Sequence, residues 1–510
     1  MRKTLIFSFA LASALTASAQ LDMKSITLDN PDNVPAPVHP LPHDRQVKWM
    51  ETEFYAFFHY GMNTFTNNEW GNKLDADPTT YRPTAVPDPE QWINAAISAG
   101  MKGGIAVVKH HDGFCLWPTE TTQYCITNCG NDNGVAGNIP KLFGEAAGRH
   151  PGFKYGFYVS PWDAHDSRYG TPEYVNEVFL KQCKELAKYG SDQFEMWFDG
   201  ANGGEGKYGG STLTTKHIDR ATYYDTPNLR YMIHEISPNC VLWGVGGEAR
   251  WIGNEQGYAG ETNWCVDNRM DGQDQPTAAS GNENGWMWLP GESDAKATTK
   301  GWFWHSGEGV TDAETLFKMY LETVGRNATF ILNLPPDTSG KLPQATVDRM
   351  TQLGQMINTR LGNDLALAQN GATIEVTSQR EQTGSVSFDA ENLIDGDKDT
   401  YYAAPDGTTS VEIVVTLPEV KTIHYVALQE YIRLGQRVKG FSIDTSVDNS
   451  SWTHFGGSIP TTTIGYKRII PQNGNTANSY PANSGVQARY VRIKINDAKA
   501  CPVLHTISIY

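Results

Sequence analysis

The sequence predicts an α/β chain in which a (β/α)8-like barrel of the TIM type is followed by an all-β sandwich. Two observations predict the barrel: apolar strands alternate with amphipathic helices, and each strand runs into a polar, aromatic or glycine-rich loop. A third predicts the sandwich, because beyond about Gly371 short β-branched runs are separated by Asn, Asp, Gly and Ser turns. We therefore expect a barrel at 20–365 and a sandwich at 366–510.

The barrel elements follow from hydrophobic periodicity and from turn residues. Residues 20–48 lack periodicity and are predicted to be an extended lead-in. The predicted strands are 54–61, 103–108, 155–159, 193–199, 241–244 and 330–334, and the predicted helices are 88–99, 171–190, 221–237, 314–327 and 344–361. In the sandwich we predict strands at 373–375, 412–416, 425–428, 441–445 and 490–495.

Composition and charge narrow the function classes. The chain of 510 residues has a formal net charge of -16, which disfavours nucleic acid or an anionic membrane as a partner. Its 14 Trp and 23 Tyr are many for this length, and flat aromatic faces bind the C–H surfaces of sugars as well as filling cores. Oligomeric state is not predicted by any pattern in the chain.

The first 19 residues predict export. Arg2 and Lys3 precede an apolar run, and Ala17-Ser18-Ala19 resembles a signal-peptidase site, so we expect a signal peptide at 1–19 and a periplasmic or secreted protein. No later run is long and apolar enough to predict insertion into a membrane. The seven cysteines are an odd number. Cys125 and Cys129 could pair or bind a metal, and we interpret them as structural.

The strongest candidate for chemistry is Asp199. Phe194, Met196 and Phe198 alternate with polar or amphipathic residues, and the predicted strand ends at Asp199 before a glycine-rich loop. In a parallel barrel the active site is built at the C-terminal ends of the strands. A loop aspartate that only stabilises a turn is the alternative, but such a residue needs no aromatic wall around it.

Histidines follow the predicted strand at 103–108. His110 and His111 are adjacent, so on a strand they would point to opposite sides and could not easily share one metal. We expect neutral histidines that hydrogen-bond hydroxyl groups, and we expect neither a metal nor a cofactor. A metal-dependent hydrolase that uses His59, His110, His111 and Asp112 remains the alternative.

A second carboxylate, Glu255, lies in another aromatic segment. Glycoside cleavage uses two carboxyl groups, one to attack or stabilise the anomeric carbon and one to protonate the leaving oxygen. Asp199 and Glu255 are far apart in the chain, so only the fold could bring them together. Glu248 is near Glu255 in sequence and is a competing candidate for the acid.

Four motifs together resemble the α-L-fucosidases of glycoside hydrolase family 29. They are Phe58-His59-Tyr60-Gly61, Lys109-His110-His111-Asp112-Gly113-Phe114, Met196-Trp197-Phe198-Asp199-Gly200 and Leu332-Asn333-Leu334-Pro335-Pro336-Asp337. The resemblance spans roughly residues 50–340, and Arg250-Trp251-Ile252-Gly253-Asn254-Glu255 resembles the subgroup that is selective for α-1,3/1,4-linked fucose in Lewis-type glycans. Residues 388–397 resemble the start of a discoidin-like (F5/8 type C) sandwich.

The resemblance implies a retaining exo-hydrolase that acts on fucosylated oligosaccharides or glycoconjugates. By position Asp199 would be its nucleophile and Glu255 its acid/base. The expected substrate-binding residues lie at strand ends and in the aromatic segments: His59, Glu69, Trp70, His110, His111, Tyr158, Trp197 and Trp302.

The sequence departs from the family pattern on the side of the leaving group. Lys300 precedes Gly301-Trp302-Phe303 where the family often has an arginine, which leaves linkage preference open. A fucosidase of broad specificity, including α-1,2 links, and a sugar-binding homologue without turnover are the alternatives.

Overall fold

The structure of the protein, a computed structural model, describes residues 30–70, 77–130, 135–190, 192–199, 207–208, 214–215, 218–268, 277–474 and 484–510. The predicted signal peptide lies outside the described residues, as does most of the glycine-rich loop after Asp199. The chain divides into two compact units, 1–34 with 381–387 and 35–380 with 388–510. In the first, the backbone N–H of Ser385 donates to Asp32 Oδ1 at 2.7 Å. Barrel and sandwich both belong to the second unit.

Eight parallel strands form the barrel. They are β1 (Phe54–Phe58), β2 (Gly103–Lys109), β3 (Lys154–Val159), β4 (Glu195–Phe198), β7 (Val241–Gly244), β8 (Arg250–Trp251), β11 (Gly291–Lys296) and β12 (Ala328–Asn333). The two-residue strands β5 (Lys207–Tyr208) and β6 (Thr214–Thr215), and β9 (Val266–Asp267) and β10 (Met287–Trp288), form two separate two-stranded antiparallel sheets. The sheet order is β7-β4-β3-β2-β1-β12-β11-β8, and a bridge between Trp243 and Ala249 nearly closes the circle. The predicted TIM-type barrel is therefore confirmed.

Helices surround the barrel, most of them against the outer face of the strands. They are α1 (Asp44–Met50), α2 (Met62–Thr66), α3 (Pro89–Ser98), α4 (Ile139–Ala147), α5 (Pro172–Tyr174), α6 (Leu180–Ala187), α7 (Arg220–Tyr223), α8 (Thr226–Ile236), α9 (Ala313–Thr323) and α10 (Gln344–Leu361), with a π turn at Val175–Phe179. Phe58 contacts Trp92 of α3 and Phe143 of α4, with ring centroids 5.6 and 5.7 Å apart. Burial of these large rings stabilises the contact between the two layers.

The inner face of the barrel is aromatic and carries charged groups. Because side chains alternate along a strand, Met196 and Phe198 pack outward among the helices, while Glu195 and Trp197 point inward and bring Asp199 to the same face. Helix α1 covers the N-terminal end of the barrel, where the Trp49 indole N–H donates to Glu195 Oε2 at 2.9 Å.

The C-terminal region is a sandwich of two antiparallel sheets. Its strands are β13 (Thr373–Val376), β14 (Tyr402–Ala403), β15 (Val411–Ile423), β16 (Tyr425–Glu430), β17 (Val438–Ser446), β18 (Thr453–Phe455), β19 (Arg468–Pro471), β20 (Val486–Ala498) and β21 (Val503–Ile509), in the orders β13-β15-β20-β17-β18 and β14-β21-β16-β19. Polar contacts join it to the barrel: the Lys467 ammonium pairs with Glu53, and the Asn263 backbone N–H donates to Thr463 Oγ1 at 2.9 Å. The predicted sandwich is confirmed.

Several elements differ from the expectations. The lead-in prediction is wrong at its end, because α1 begins at Asp44. Strands β8 and β11 were not predicted, and the helix expected at 221–237 is split between Tyr223 and Thr226. All seven cysteines are buried and unbridged, so Cys125 and Cys129 do not pair. In the portions of the chain that the structure describes, no helix could span a bilayer.

Candidate active site

Asp199 lies directly after β4 at the C-terminal mouth of the barrel, with 24% of its side chain exposed. The Tyr158 hydroxyl, from the end of β3, donates to Asp199 Oδ2 at 2.9 Å. His111 Nε2, from the loop after β2, is 3.4 Å from the same oxygen. Three neighbouring strands thus deliver these side chains to one point, as the barrel geometry requires.

The hydrogen bonds of His111 fix its orientation. Ser160 Oγ donates to the Trp162 backbone carbonyl at 2.6 Å, so it can only accept from His111 Nδ1, which is also 2.6 Å away. The Nδ1 nitrogen therefore carries a hydrogen, and Nε2 faces Asp199. The ring packs against Trp162 and Trp70 with centroid distances of 4.8 and 5.3 Å.

His59 and His110 are buried and uncharged. Burial lowers the pKa of His59 to about 3, and burial together with the neighbouring histidines lowers the pKa of His110 well below its usual value. Asn333 Nδ2 donates to the Trp302 carbonyl at 2.7 Å, so Asn333 Oδ1 accepts from His59 Nδ1 at 2.7 Å. This leaves Nε2 of His59 as its second, unprotonated nitrogen. The ring of His110 stacks on Tyr158 at 5.6 Å.

Glu69 organises the loop that carries Trp302. Its Oε2 accepts the backbone N–H of Trp302 at 2.8 Å, while its Oε1 accepts from Phe303 at 3.3 Å and lies 2.7 Å from His305 Nε2. Trp302 in turn packs on His59 with ring centroids 5.2 Å apart. Trp70, the residue after Glu69, is 43% exposed and presents a free aromatic surface beside the site.

Glu255 lies on the exposed loop after β8. Partial burial raises the pKa of Glu255, and the negative charges of Asp199 and Glu69 raise it further, against the opposing effects of Lys296 and of a hydrogen bond with Trp302. The hydrogen bond with Trp302, whose ring packs on His59, places Glu255 beside the barrel mouth. A carboxyl group with a raised pKa keeps its proton to a higher pH, which a general acid requires.

Trp197 lies deeper than the other predicted site residues. It is 4% exposed, its indole N–H donates to Glu292 Oε1 at 2.6 Å, and its ring stacks on Trp243 at 3.7 Å and on Tyr158 at 5.3 Å. Trp197 therefore supports Tyr158 from below, and its direct contact with a sugar stays a prediction.

Two other candidate residues, Glu248 and Asp112, form structural contacts instead. Glu248 is held at the opposite end of the barrel by Arg45 of α1 at 2.6 Å, and the Leu242 backbone N–H donates to it at 2.9 Å. The carboxylate of Asp112 accepts from the Phe114 backbone at 2.8 Å and from Asn63 Nδ2 at 3.1 Å, so it stabilises its own loop. Within the described residues no group of three or more His, Cys, Asp or Glu side chains could hold a metal.

The sequence reading missed several residues of the site. Ser160 and Asn333 fix the two histidine rings, and both stand at strand ends, which is the signal that could have identified them. Asp294 and Lys296 of β11 were also missed: Asp294 accepts from the Trp251 indole at 2.8 Å, and Lys296 lies over the Trp302 ring at 5.8 Å. Their strand was not predicted, so neither could be placed.

The fold and the site define a class. Asp199 is held by a tyrosine donor, and Glu255, a second carboxyl group with a raised pKa, lies beside the same aromatic mouth. Two such carboxyl groups are what a glycoside hydrolase requires. The family model for α-L-fucosidase matches residues 33–360, and that for the F5/8 type C domain matches residues 373–505. The chain therefore belongs to the α-L-fucosidase family, glycoside hydrolase family 29, and is an enzyme that carries an F5/8 type C domain.

Relatives in plants and bacteria agree with this assignment. The chain is 33% identical to putative α-L-fucosidase 1 of Oryza sativa subsp. japonica, over 94% of this chain and 87% of that protein. It is 31% identical to α-L-fucosidase 1 of Arabidopsis thaliana, over 93% and 88%. A putative α-L-fucosidase structure from Bacteroides thetaiotaomicron has 30% identity and a TM-score of 0.79, covering 94% of this chain and 99% of that one. A family 29 fucosidase of Ruminococcus gnavus in complex with fucose has 29% identity and a TM-score of 0.80, covering 94% and 97%.

Proposed function

We propose that the protein is an exo-acting, retaining α-L-fucosidase that releases terminal α-1,3/1,4-linked L-fucose from Lewis-type glycans. Two observations support the mechanism: the Tyr158 hydroxyl holds Asp199 at the barrel mouth, and the pKa of Glu255, on the loop after β8, is raised by partial burial. The fucose complex of the Ruminococcus gnavus relative supports fucose as the bound sugar.

The proposed reaction is a double displacement. Asp199 attacks the anomeric carbon while the bond to the leaving oxygen breaks and Glu255 transfers its proton to that oxygen. In the second step Glu255 removes a proton from water, water attacks the anomeric carbon, and the bond to Asp199 breaks. For direct attack the two carboxyl groups must lie about 5–5.5 Å apart in the complex with the sugar.

The histidines at the barrel mouth suit the binding of sugar hydroxyls, and burial keeps His59 and His110 uncharged by lowering the pKa of each. With Nδ1 of His59 engaged by Asn333, its Nε2 accepts a hydrogen bond rather than donating one. His110 and His111 extend the same polar surface, with ring centroids 4.2 Å apart. Trp70 and Trp302 provide aromatic walls for the apolar face of the ring. Glu69 acts by holding Trp302, in addition to any contact of its own with a hydroxyl.

The nucleophile is tested with Asp199→Ala. This variant should lose turnover of an aryl fucoside and recover part of it in azide, with release of a fucosyl azide of inverted configuration. An unchanged melting temperature is the control for folding. Turnover that persists without azide would assign attack to another group.

The acid is tested with Glu255→Ala on two substrates. An aryl fucoside with a good leaving group needs little protonation, so its hydrolysis should suffer far less than that of a fucosyl disaccharide. Equal losses on both substrates would contradict the acid role. Hydrolysis of Lewis trisaccharides compared with 2'-fucosyllactose tests the proposed linkage, and faster release from 2'-fucosyllactose would favour the broad specificity.

We also propose that the protein is exported to the periplasm or secreted, with domain boundaries near residues 19 and 365. The composition of residues 1–19 supports the first boundary. Mass spectrometry of the protein from the host's extracellular or periplasmic fraction should give an N-terminus at Gln20.

A further inference from the structure

Two glutamates face each other inside the barrel below the mouth. Glu195 is on β4 and Glu292 is on β11, and both are fully buried at 0% exposure. Glu292 Oε1 accepts the Trp197 indole N–H at 2.6 Å, and Glu292 Oε2 accepts the Tyr55 hydroxyl. Glu195 Oε2 accepts the Trp49 indole N–H at 2.9 Å. Three of the four carboxyl oxygens therefore have donors.

The fourth carboxyl oxygen, Glu195 Oε1, indicates where the pair can hold a proton. Glu195 Oε1 is buried and has no donor among the residues that the structure describes, and its side chain adjoins Tyr55 and Glu292. Two buried carboxylates in contact cannot both be charged, because desolvation and mutual repulsion oppose it. One proton is therefore shared by the two carboxyl groups, and Glu195 Oε1, which lacks a donor, is the position from which it can reach Tyr55 or Glu292. Burial raises the pKa of both groups, that of Glu195 to about 8.

The pair is connected to the mouth through aromatic rings. Trp197, whose N–H is held by Glu292, lies against Trp243 at 3.7 Å with a 9° interplanar angle and against Tyr158 at 5.3 Å. Tyr158 donates to Asp199 at 2.9 Å. Because interiors are close-packed, a change in the Trp197 ring displaces Tyr158 and its hydroxyl.

We propose that Glu195 and Glu292 are positioning residues for the fucosidase reaction: they share one proton, lock the Trp197 indole, and through Tyr158 fix the orientation of Asp199. The link to the reaction rests on the proposed role of Asp199. The proton-sharing state is a property of the pair itself and can be measured without turnover.

The same substitution at the two positions gives opposite expectations. In Glu195→Gln the amide N–H replaces the acid O–H and the amide oxygen still accepts from Trp49, so kcat should stay within about threefold. In Glu292→Gln the single amide oxygen cannot accept from both the Trp197 N–H and the Tyr55 O–H. The amide N–H₂ either faces the Trp197 N–H, a clash of two donors, or donates to the Tyr55 oxygen and forces its O–H to turn toward Thr329, 3.4 Å away. We expect kcat on an aryl fucoside to fall at least about tenfold with little change in KM, since the sugar-binding groups at the mouth are retained.

A double-mutant cycle separates positioning from general damage. Trp197→Phe removes the indole N–H and with it the clash, so Glu292→Gln should cost clearly less kcat in that background than in the wild type. Glu145→Gln, at a surface glutamate whose side chain is 56% exposed, is the control for loss of a carboxylate and should leave kcat unchanged.

The melting temperature tests the shared proton. The folded pair holds a proton that an unfolded glutamate releases, so this contribution to stability is present at low pH and is lost as pH rises from about 4.5 to about 8. Glu195→Gln should flatten the melting temperature across this range relative to wild type and Glu145→Gln.

Equal effects of Glu195→Gln and Glu292→Gln on kcat, or an unaltered pH slope in Glu195→Gln, would overturn the proposal. The pH slope of the melting temperature in Glu195→Gln can be measured even if Glu292→Gln fails to fold. Failure of azide rescue in Asp199→Ala would instead count against the proposed function and leave the pH slope as it is.

Discussion

Removing one hydroxyl group tests how the nucleophile is held. In Tyr158→Phe the ring keeps its place between His110, 5.6 Å away, and Trp197, 5.3 Å away, because the hydroxyl adds little to the packing. The substitution deletes the 2.9 Å hydrogen bond to Asp199 Oδ2, together with the contact of the hydroxyl with Ser160. His111 Nε2, at 3.4 Å, is too distant and too constrained by Ser160 to replace that donor.

The expected loss follows from the charge that develops in the reaction. A hydrogen bond to a charged group contributes about 1.5–3 kcal/mol. Since each 1.36 kcal/mol is a factor of ten in rate, kcat/KM should fall by about ten- to 150-fold if the bond orients the attacking oxygen throughout the reaction. The loss should be seen mainly in kcat, because Tyr158 holds the nucleophile rather than the leaving group.

The assay compares two tyrosines of the same strand. Tyr155 lies on the outer face of β3, and its hydroxyl donates to the Tyr189 carbonyl at 3.1 Å, away from the mouth. Tyr155→Phe therefore loses a hydrogen bond of similar geometry, and we expect it to change the melting temperature but not kcat/KM on an aryl fucoside. A loss of less than about threefold in Tyr158→Phe, or equal losses in both variants, would refute the positioning of Asp199 by Tyr158.

Three further predictions concern charge and exposure. Lys296 lowers the pKa of Glu255, so Lys296→Met should raise that pKa and move the alkaline limb of kcat/KM to higher pH; a shift to lower pH would contradict the assignment of Glu255 as the acid. Trp70 is 43% exposed, so Trp70→Ala should raise KM about tenfold with little change in melting temperature, and an unchanged KM would exclude it from the sugar site. Burial alone would raise the pKa of Glu53, but Lys467 and a second lysine lower it from 4.5 to about 2. The interaction of the charged Glu53 carboxylate with these lysines therefore stabilises the fold above pH 4.5, and this stabilisation is lost as pH falls through 2. At pH 7 Glu53→Gln should therefore reduce the free energy of unfolding by up to about 3 kcal/mol in denaturant titration, and an equal reduction at pH 2 would show that the charge is not the cause.

Elements that bury one apolar face could be predicted from the sequence, and elements that bury polar side chains could not. Strand β11 reads Gly-Glu-Ser-Asp-Ala-Lys and carries no β-branched or aromatic residue. It forms a barrel strand because its inward groups find partners: Trp197 donates to Glu292, and Trp251 donates to Asp294. Those partners are 95 and 43 positions away in sequence, so no local pattern contains the information.

Helix α1 illustrates the same limit. Its sequence follows a proline-rich segment, and its stability depends on tertiary contacts rather than on propensity. Gln46 Nε2 donates to the carbonyls of Glu248 and Trp288, at 2.8 and 3.2 Å, and Trp49 donates to Glu195. In contrast, the positions of Asp199, His110 and Tyr158 could be predicted because each is adjacent to or at the end of a strand, and the parallel barrel gathers such ends.

Depth in the barrel explains why two carboxyl groups, one on β4 and one directly after it, have different chemistry. Glu195, Trp197 and the following Asp199 share the inner face, and four residues of strand rise about 13 Å. At the lower level Glu195 is fully buried beside a second carboxyl group, so it keeps a proton. At the upper level Asp199 is 24% exposed and accepts from Tyr158, so it can carry a charge where a substrate can reach it. The Trp197 ring lies between Glu195 and Asp199 and separates the two carboxyl groups. Because this ring also contacts Tyr158, the orientation of Asp199 depends on the hydrogen bonds of the pair formed by Glu195 and Glu292.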